Sequence, residues 1–183
     1  RISTGIKRVI FILTDGLRYD YAIEKNGPMK TLLEKGIADK TTVVLEGHSS
    51  LPSFSHPNYV ASLSGIPPEA SGVTCNSRSA PLLTGVDSIL HKAKEYGLGV
   101  EVCSPFNSDL GDWWLSAVNI TPWNENSPVD DKLTYNSIIQ SMTARRTELV
   151  FGVTINCDKA GHEHGAASSE YENVVAIQAA YLS

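Results

Sequence analysis

Two unbroken apolar runs constrain this chain more than any other feature. "KRVIFILTDG" carries Val9 to Leu13 without a polar residue and closes on Thr14-Asp15-Gly16, and "ELVFGVTINC", Glu148 to Cys157, repeats the pattern late in the chain. Neither run approaches the length of a membrane span, and neither alternates between polar and apolar residues. A strand that is apolar on both faces must be covered on both, as in a parallel sheet with helices above and below. Helical segments lie between them. "GPMKTLLEKG" places Pro28 near its start and Gly36 at its stop, and "GVDSILHKAKEYG" puts Val86, Ile89, Leu90 and Ala93 on one face before Gly97. "LTYNSIIQSMTARR" reads as a further helix, "TTVVLEG" and "LGVEVCS" as further strands, and "LPSFSHPNYVASLSG" as a loop feeding a helix from about Pro57. The alternation predicts an α/β fold: a three-layer α/β/α sandwich with a largely parallel central sheet. Pro105 to Asp131, which holds all three tryptophans, is expected to be an irregular insertion. No repeat, low-complexity tract or linker interrupts the chain.

Composition narrows the function. With 183 residues the chain is expected to be one domain or most of one. The net charge of −5 and the scattered basic residues argue against stable nucleic-acid binding. No membrane span and no charged-then-apolar leader is legible. The sequence opens at Arg1, so a processed or trimmed start is expected and localisation is not readable there. Three cysteines, Cys75, Cys103 and Cys157, form no CxxC pair; one disulfide at most is expected. Asn119-Ile120-Thr121 fits a glycosylation acceptor, a weak pointer to secretion because Pro122 follows.

In parallel sheets ligands gather beyond the carboxyl ends of the strands, which singles out Asp15 and Asp158. "DKAGHEHG", Asp158 to Gly165, offers a carboxylate, a glycine and His162 in what reads as a loop. Carboxylate oxygen and imidazole nitrogen form a donor set for a divalent cation such as zinc. His164 competes with His162 as a ligand, an ordinary solvated loop is the plainer alternative, and His48 and His56 read as loop histidines. Ser55 admits two readings. It is an N-cap with Pro57 in the first turn, or it presents a hydroxyl that a bound cation activates as a nucleophile. In the second reading the helix start favours an anionic group, and the Asn58 amide donates to a developing oxyanion.

"VIFILTDGLRYDY", "PSFSHPNYVASLSGIPPEASGV" and "DKAGHEHG" together resemble, in order and spacing, the motifs of the type I phosphodiesterase/nucleotide pyrophosphatase family of the alkaline phosphatase superfamily. The likeness runs from about Lys7 to about Glu170. It implies an alkaline-phosphatase-like fold and two divalent cations, zinc being the expected metal. Asp15 and Ser55 would contact one ion, and Asp158 and His162 the second. Ser55 would be the nucleophile and Asn58 a contact of the transferred phosphoryl group. The implied function is hydrolysis of phosphodiester or pyrophosphate bonds in small, nucleotide-type substrates through a covalent seryl-phosphoryl intermediate. Alternatives are a phosphomonoesterase or phosphotransferase of the same superfamily, or a catalytically inactive binding domain. An extracellular, secretory or periplasmic location is suggested by the resemblance alone. Serine replaces the family's usual threonine nucleophile, His56 an apolar or aromatic residue, Tyr59 a frequent histidine, and Ser71 the histidine of Pro-Glu-x-His-Gly. Phe54, Tyr59, Trp113 and Trp114 are aromatic candidates for stacking on a leaving group, and Arg18 is a candidate clamp for a dianion. "YENVVAIQAAYLS" does not supply the family's downstream Asp-His-Gly motif or late histidine. Residues 1–183 therefore read as the N-terminal portion of a single catalytic domain, inactive alone.

Overall fold

The computed structural model describes residues 7–76, 86–104, 119–120 (backbone), 130–143 and 147–183. Strand β1 (Val9–Thr14) leads through a single π-helical turn (Asp20–Glu24) to α1 (Pro28–Ala38). Helices α2 (Ser55–Ser64), α3 (Pro68–Ser71) and α4 (Ile89–Glu95) precede β2 (Val100–Cys103) and β3 (Asn119–Ile120). Helix α5 (Asp131–Thr143), strand β4 (Leu149–Thr154), and helices α6 (Asn156–His164) and α7 (Ser169–Leu182) follow. The sheet order is β1-β4-β2-β3. β2 runs parallel to β3 and to β4, with Val100 opposite Leu149 and Cys103 opposite Gly152. β1 joins β4 in the same sense: Val9 N donates to Glu148 O and Asp15 N to Thr154 O, both at 2.8 Å. The expected class, α/β on a parallel sheet, is the one found.

By their contacts the residues form two compact units. The first spans Arg1–Leu13, His48–Pro128 and Leu133–Val153, and the second Thr14–Gly47, Val129–Lys132 and Thr154–Ser183. In the first unit β4 is buried along its whole length, as its continuous apolar sequence requires. The rings of Phe11 and Phe151 meet at 5.3 Å across the β1–β4 pair. A Cβ at Gly152 would stand 2.5 Å from Ile138 Cδ1, so the glycine lets α5 lie close on the sheet. The second unit is built around Tyr171, fully buried with Tyr21, Met29, Cys157, Ala160 and Val175. Its hydroxyl donates to Gly16 O at 2.6 Å and accepts from Arg18 N at 2.9 Å, which ties α7 to the turn after β1. Tyr171→Phe keeps the ring and strands both backbone groups. Its expected effect is a loss of about 1–3 kcal/mol, read as a lower urea midpoint at unchanged slope.

Two local expectations are corrected. "TTVVLEG" forms no strand; Val43 and Leu45 are 82% and 86% exposed. Its β-branched residues favour extension, but a strand needs a ladder partner, and none of the described strands pairs with it. "DKAGHEHG" is not a loop, since residues 156–164 are the helix α6. Gly161 is tolerated because α6 buries Cys157 and Ala160 in the second unit's core and receives its cap from another element, Asp131. Asp158 therefore lies in the first turn of a helix and not at the strand end. Of the expected insertion Pro105–Asp131, Asn119–Ile120 form β3 and Asp131 opens α5. Trp113, Trp114 and the end of the Asn119-Ile120-Thr121 triplet lie outside the described residues. All three cysteines are free thiols, and among the described residues no helix is long and apolar enough to cross a membrane.

Candidate functional site

The neighbouring strands β1 and β4 end at Thr14 and Thr154, and the turn after β1 rests on the first turn of α6. Asp158 N donates to Asp15 O at 3.1 Å. Gly16 adopts a left-handed φ of +69°, and a Cβ there would lie 2.4 Å from Asp158 Cα and 2.6 Å from its nitrogen. The Asp-Gly pair is thus dictated by close approach of two backbones, beyond its value as a turn signal. Burial raises the Asp158 carboxyl above the usual range, the Asp15 charge raises it further, and His162 draws it down. His162 Nε2 sits 3.4 Å from Asp158 Oδ1, one helical turn on, with its side chain largely exposed. His164 falls on another face of α6 and pairs with Glu163 at 3.8 Å. The buried Cys157 thiol is pushed up to about 12, first by burial and then by the charges of Asp131, Asp15 and Asp158.

Asp158 and His162 suit a divalent cation in kind, an oxygen and a nitrogen donor converging on one helix face. The repulsion between Asp15 and Asp158 is a charge imbalance that such a cation would relieve. The set fits in kind but does not close. Among the described residues no group of three or more His, Cys, Asp or Glu side chains gathers closely enough to hold a metal.

Ser55 and Asn58 belong to α2 in the other unit. Ser55 is half-buried and opens the helix; the N-cap is Phe54, extended at φ −81° and ψ 152°, with no side-chain capping bond. The helix begins two residues before Pro57, because a proline at the third position forgoes an N–H that the first turn leaves unpaired in any case. The Asn58 side chain is engaged with the backbone of the loop before α2. Its Oδ1 accepts from Ser50 N at 2.7 Å, and its Nδ2 donates to Ser50 O, Pro52 O and Phe54 O at 3.2, 3.3 and 2.9 Å. The side chain fastens the loop that delivers Ser55.

Another carboxamide, missed in the sequence, lies at the helix start: Asn76 Oδ1 accepts from His56 N at 2.9 Å. Only this contact across 20 residues reveals it, since Asn76 sits in an unpatterned stretch after Gly72. Ser71, at the family's histidine position, is fully buried and donates to Pro68 O while accepting from Val73 N, a turn-holding role. Arg18 forks onto Asp20 at 3.0 Å and donates to Ala166 O at 2.9 Å. Tyr59 is buried, whereas Phe54, just before Ser55, is 50% exposed.

No protein-family model matches the chain, and no curated protein does. Solved structures match it. Murine ectonucleotide pyrophosphatase/phosphodiesterase 5, in an inactive form in complex with AMP, superposes with a TM-score of 0.72 at 17% identity, over 96% of this chain and 50% of that one. The human ectonucleotide pyrophosphatase/phosphodiesterase 5 gives 0.65 at 15% identity, over 96% and 50%. Phosphonoacetate hydrolase from Sinorhizobium meliloti 1021, in complex with phosphonoformate, gives 0.69 at 16% identity, over 97% and 52%. The chain spans about half the length of these solved chains. At such identities the likeness establishes the fold, and it is the alkaline-phosphatase-like fold that the motif resemblance implied.

Proposed function

We propose that this chain carries the nucleophile and part of the metal site of a hydrolase of phosphodiester or pyrophosphate bonds. The observation that carries the reading is a hydroxyl, Ser55, opening a helix beside a side-chain amide. Of the first-turn N–H groups, that of His56 is taken by Asn76, Pro57 has none, and that of Asn58 closes on Phe54 O. Stabilisation of negative charge at this helix start falls to the dipole of α2, with Asn58 the contact of the transferred phosphoryl group. Ser55 Oγ forms a bond to phosphorus as the bond to the leaving oxygen breaks, and water then releases the phosphoryl group from serine. Asp15 would serve a first divalent cation, Asp158 and His162 a second, with zinc matching the donor types. Bound cations supply Lewis-acid neutralisation of the developing charge and a lower pKa for the attacking hydroxyl.

A diester or pyrophosphate substrate fits better than a monoester, because the guanidinium of Arg18 is committed to Asp20 and Ala166 O. A dianion would need such a clamp; a diester presents one charge fewer. The fold does not choose among substrates, since a nucleotide-type enzyme and a phosphonate hydrolase both share it. The deciding experiment compares a nitrophenyl nucleotide diester, nitrophenyl phosphate and phosphonoacetate on purified, zinc-loaded full-length protein. The expected kcat/KM favours the diester by about tenfold or more, a difference of about 1.4 kcal/mol at the transition state. A higher value for the monoester or for the phosphonate would move the chain to that reaction.

A further inference from the structure

The chemistry above leaves one buried charged group without a role. Asp131, the first residue of α5, is fully buried. Its Oδ1 accepts from Ile155 N at 2.9 Å and its Oδ2 from Asn156 N at 3.0 Å. Gln178 Nε2 of α7 donates to the same Oδ2. These bonds land on the start of α6, whose N-cap, Ile155, has no side chain able to accept a hydrogen bond. Helix N-termini leave N–H groups unpaired and favour negative charge, so α6 borrows from α5 the carboxylate its own sequence lacks. Asn156 is two residues before Asp158, and His162 follows one turn later.

We propose that Asp131 is a positioning residue for the metal-binding pair. It fixes the start of α6, and thereby the place of Asp158 and His162, through hydrogen bonds to the α6 backbone and from Gln178. The proposal rests on reading Asp158 and His162 as ligands. A cap that only stabilised the fold would lower the melting temperature and leave the zinc affinity of the folded protein unchanged. A positioning cap moves the affinity itself, because a ligand displaced by a fraction of an ångström loses its bond.

Asp131→Asn keeps the side chain's shape but turns one acceptor into a donor that faces an N–H or the Gln178 amide. Zinc binding is measured by calorimetric titration of purified full-length wild type, Asp158→Asn and Asp131→Asn, each shown folded by circular dichroism at the titration temperature. Wild type is expected to bind zinc and Asp158→Asn to lose a site. Asp131→Asn is expected to bind at that site about 10–100-fold more weakly, the range typical of groups that orient ligands. Equal affinity in wild type and folded Asp131→Asn would overturn the proposal alone. Wild type that binds no zinc, or an Asp158→Asn protein that binds it undiminished, would overturn the ligand reading and this proposal with it. Should Asp131→Asn not fold, Gln178→Met decides, as it removes one partner of Oδ2 and leaves both helix bonds. A zinc affinity lowered about threefold or more supports the role, and an unchanged one overturns it.

Discussion

Ser55→Ala is expected to lower kcat by on the order of 10⁴–10⁶-fold, the scale on which removal of a covalent nucleophile acts. Zinc uptake should persist, because Asp158 and His162 lie on a different helix. Nearby hydroxyls are poor substitutes. The backbone N–H and carbonyl of Ser50 are fastened by Asn58, and Ser53 lies in the exposed loop ahead of the helix start. Ser55→Thr should retain most of the turnover, since it offers the same oxygen and a first helical position tolerates β-branching. Two measurements check this: kcat on the diester, and mass-spectrometric trapping of a phosphorylated α2 peptide in wild type but not in Ser55→Ala. Turnover by Ser55→Ala within about tenfold of wild type would remove Ser55 from the mechanism.

Gly16→Ala is expected to destabilise the protein by about 3 kcal/mol or more, a large share of the roughly 5–15 kcal/mol that holds an ordinary domain folded. Two costs add. A non-glycine residue at a left-handed φ costs about 1–2 kcal/mol. The new Cβ, 2.4 Å from Asp158 Cα, meets backbone that cannot step aside as a flexible side chain would. Gly65→Ala separates the terms. Gly65 has a similar φ of +74° but open space around it, so only the conformational cost, about 1–2 kcal/mol, is expected. Chemical denaturation of both variants gives the comparison. Equal losses would mean that the turn after β1 and the start of α6 yield easily, and that their approach does not fix the relation of Asp15 to Asp158.

The strands legible in the sequence are those whose residues must be buried whatever their neighbours. β1 and β4 are continuous apolar runs, and the rule of strand ends led from them to Asp15 and Asp158. Features that depend on a distant partner were not legible. Val43 to Leu45 carry strand propensity but find no ladder, and residues 158–164 carry a mid-segment glycine yet are helical because Asp131 caps them and Tyr171 packs beside them. The carboxylate at a strand end and the glycine before His162 singled out the pair, although the local structure assumed for it was a loop. The backbone contacts of Asn58 were not legible in the sequence. Its carbonyl partners come from a loop that folds back, and the carboxamide at the helix start belongs to Asn76, whose position no local pattern marks.

The strand order β1-β4-β2-β3 also has a consequence in time. Of the four described strands β1 is the first to be synthesised, and its ladder partner is the last. During synthesis an apolar strand must wait, unpaired, for nearly all of the described sheet to follow it. Pairings so distant along the chain carry a large closure entropy and are expected to form slowly. Until β4 arrives, Val9 to Leu13 present a sticky edge, a liability of the kind that recruits chaperones. The meeting of Asp15 with Asp158 waits on the same event. The carboxylate corner is therefore expected to assemble only once β4 has been synthesised.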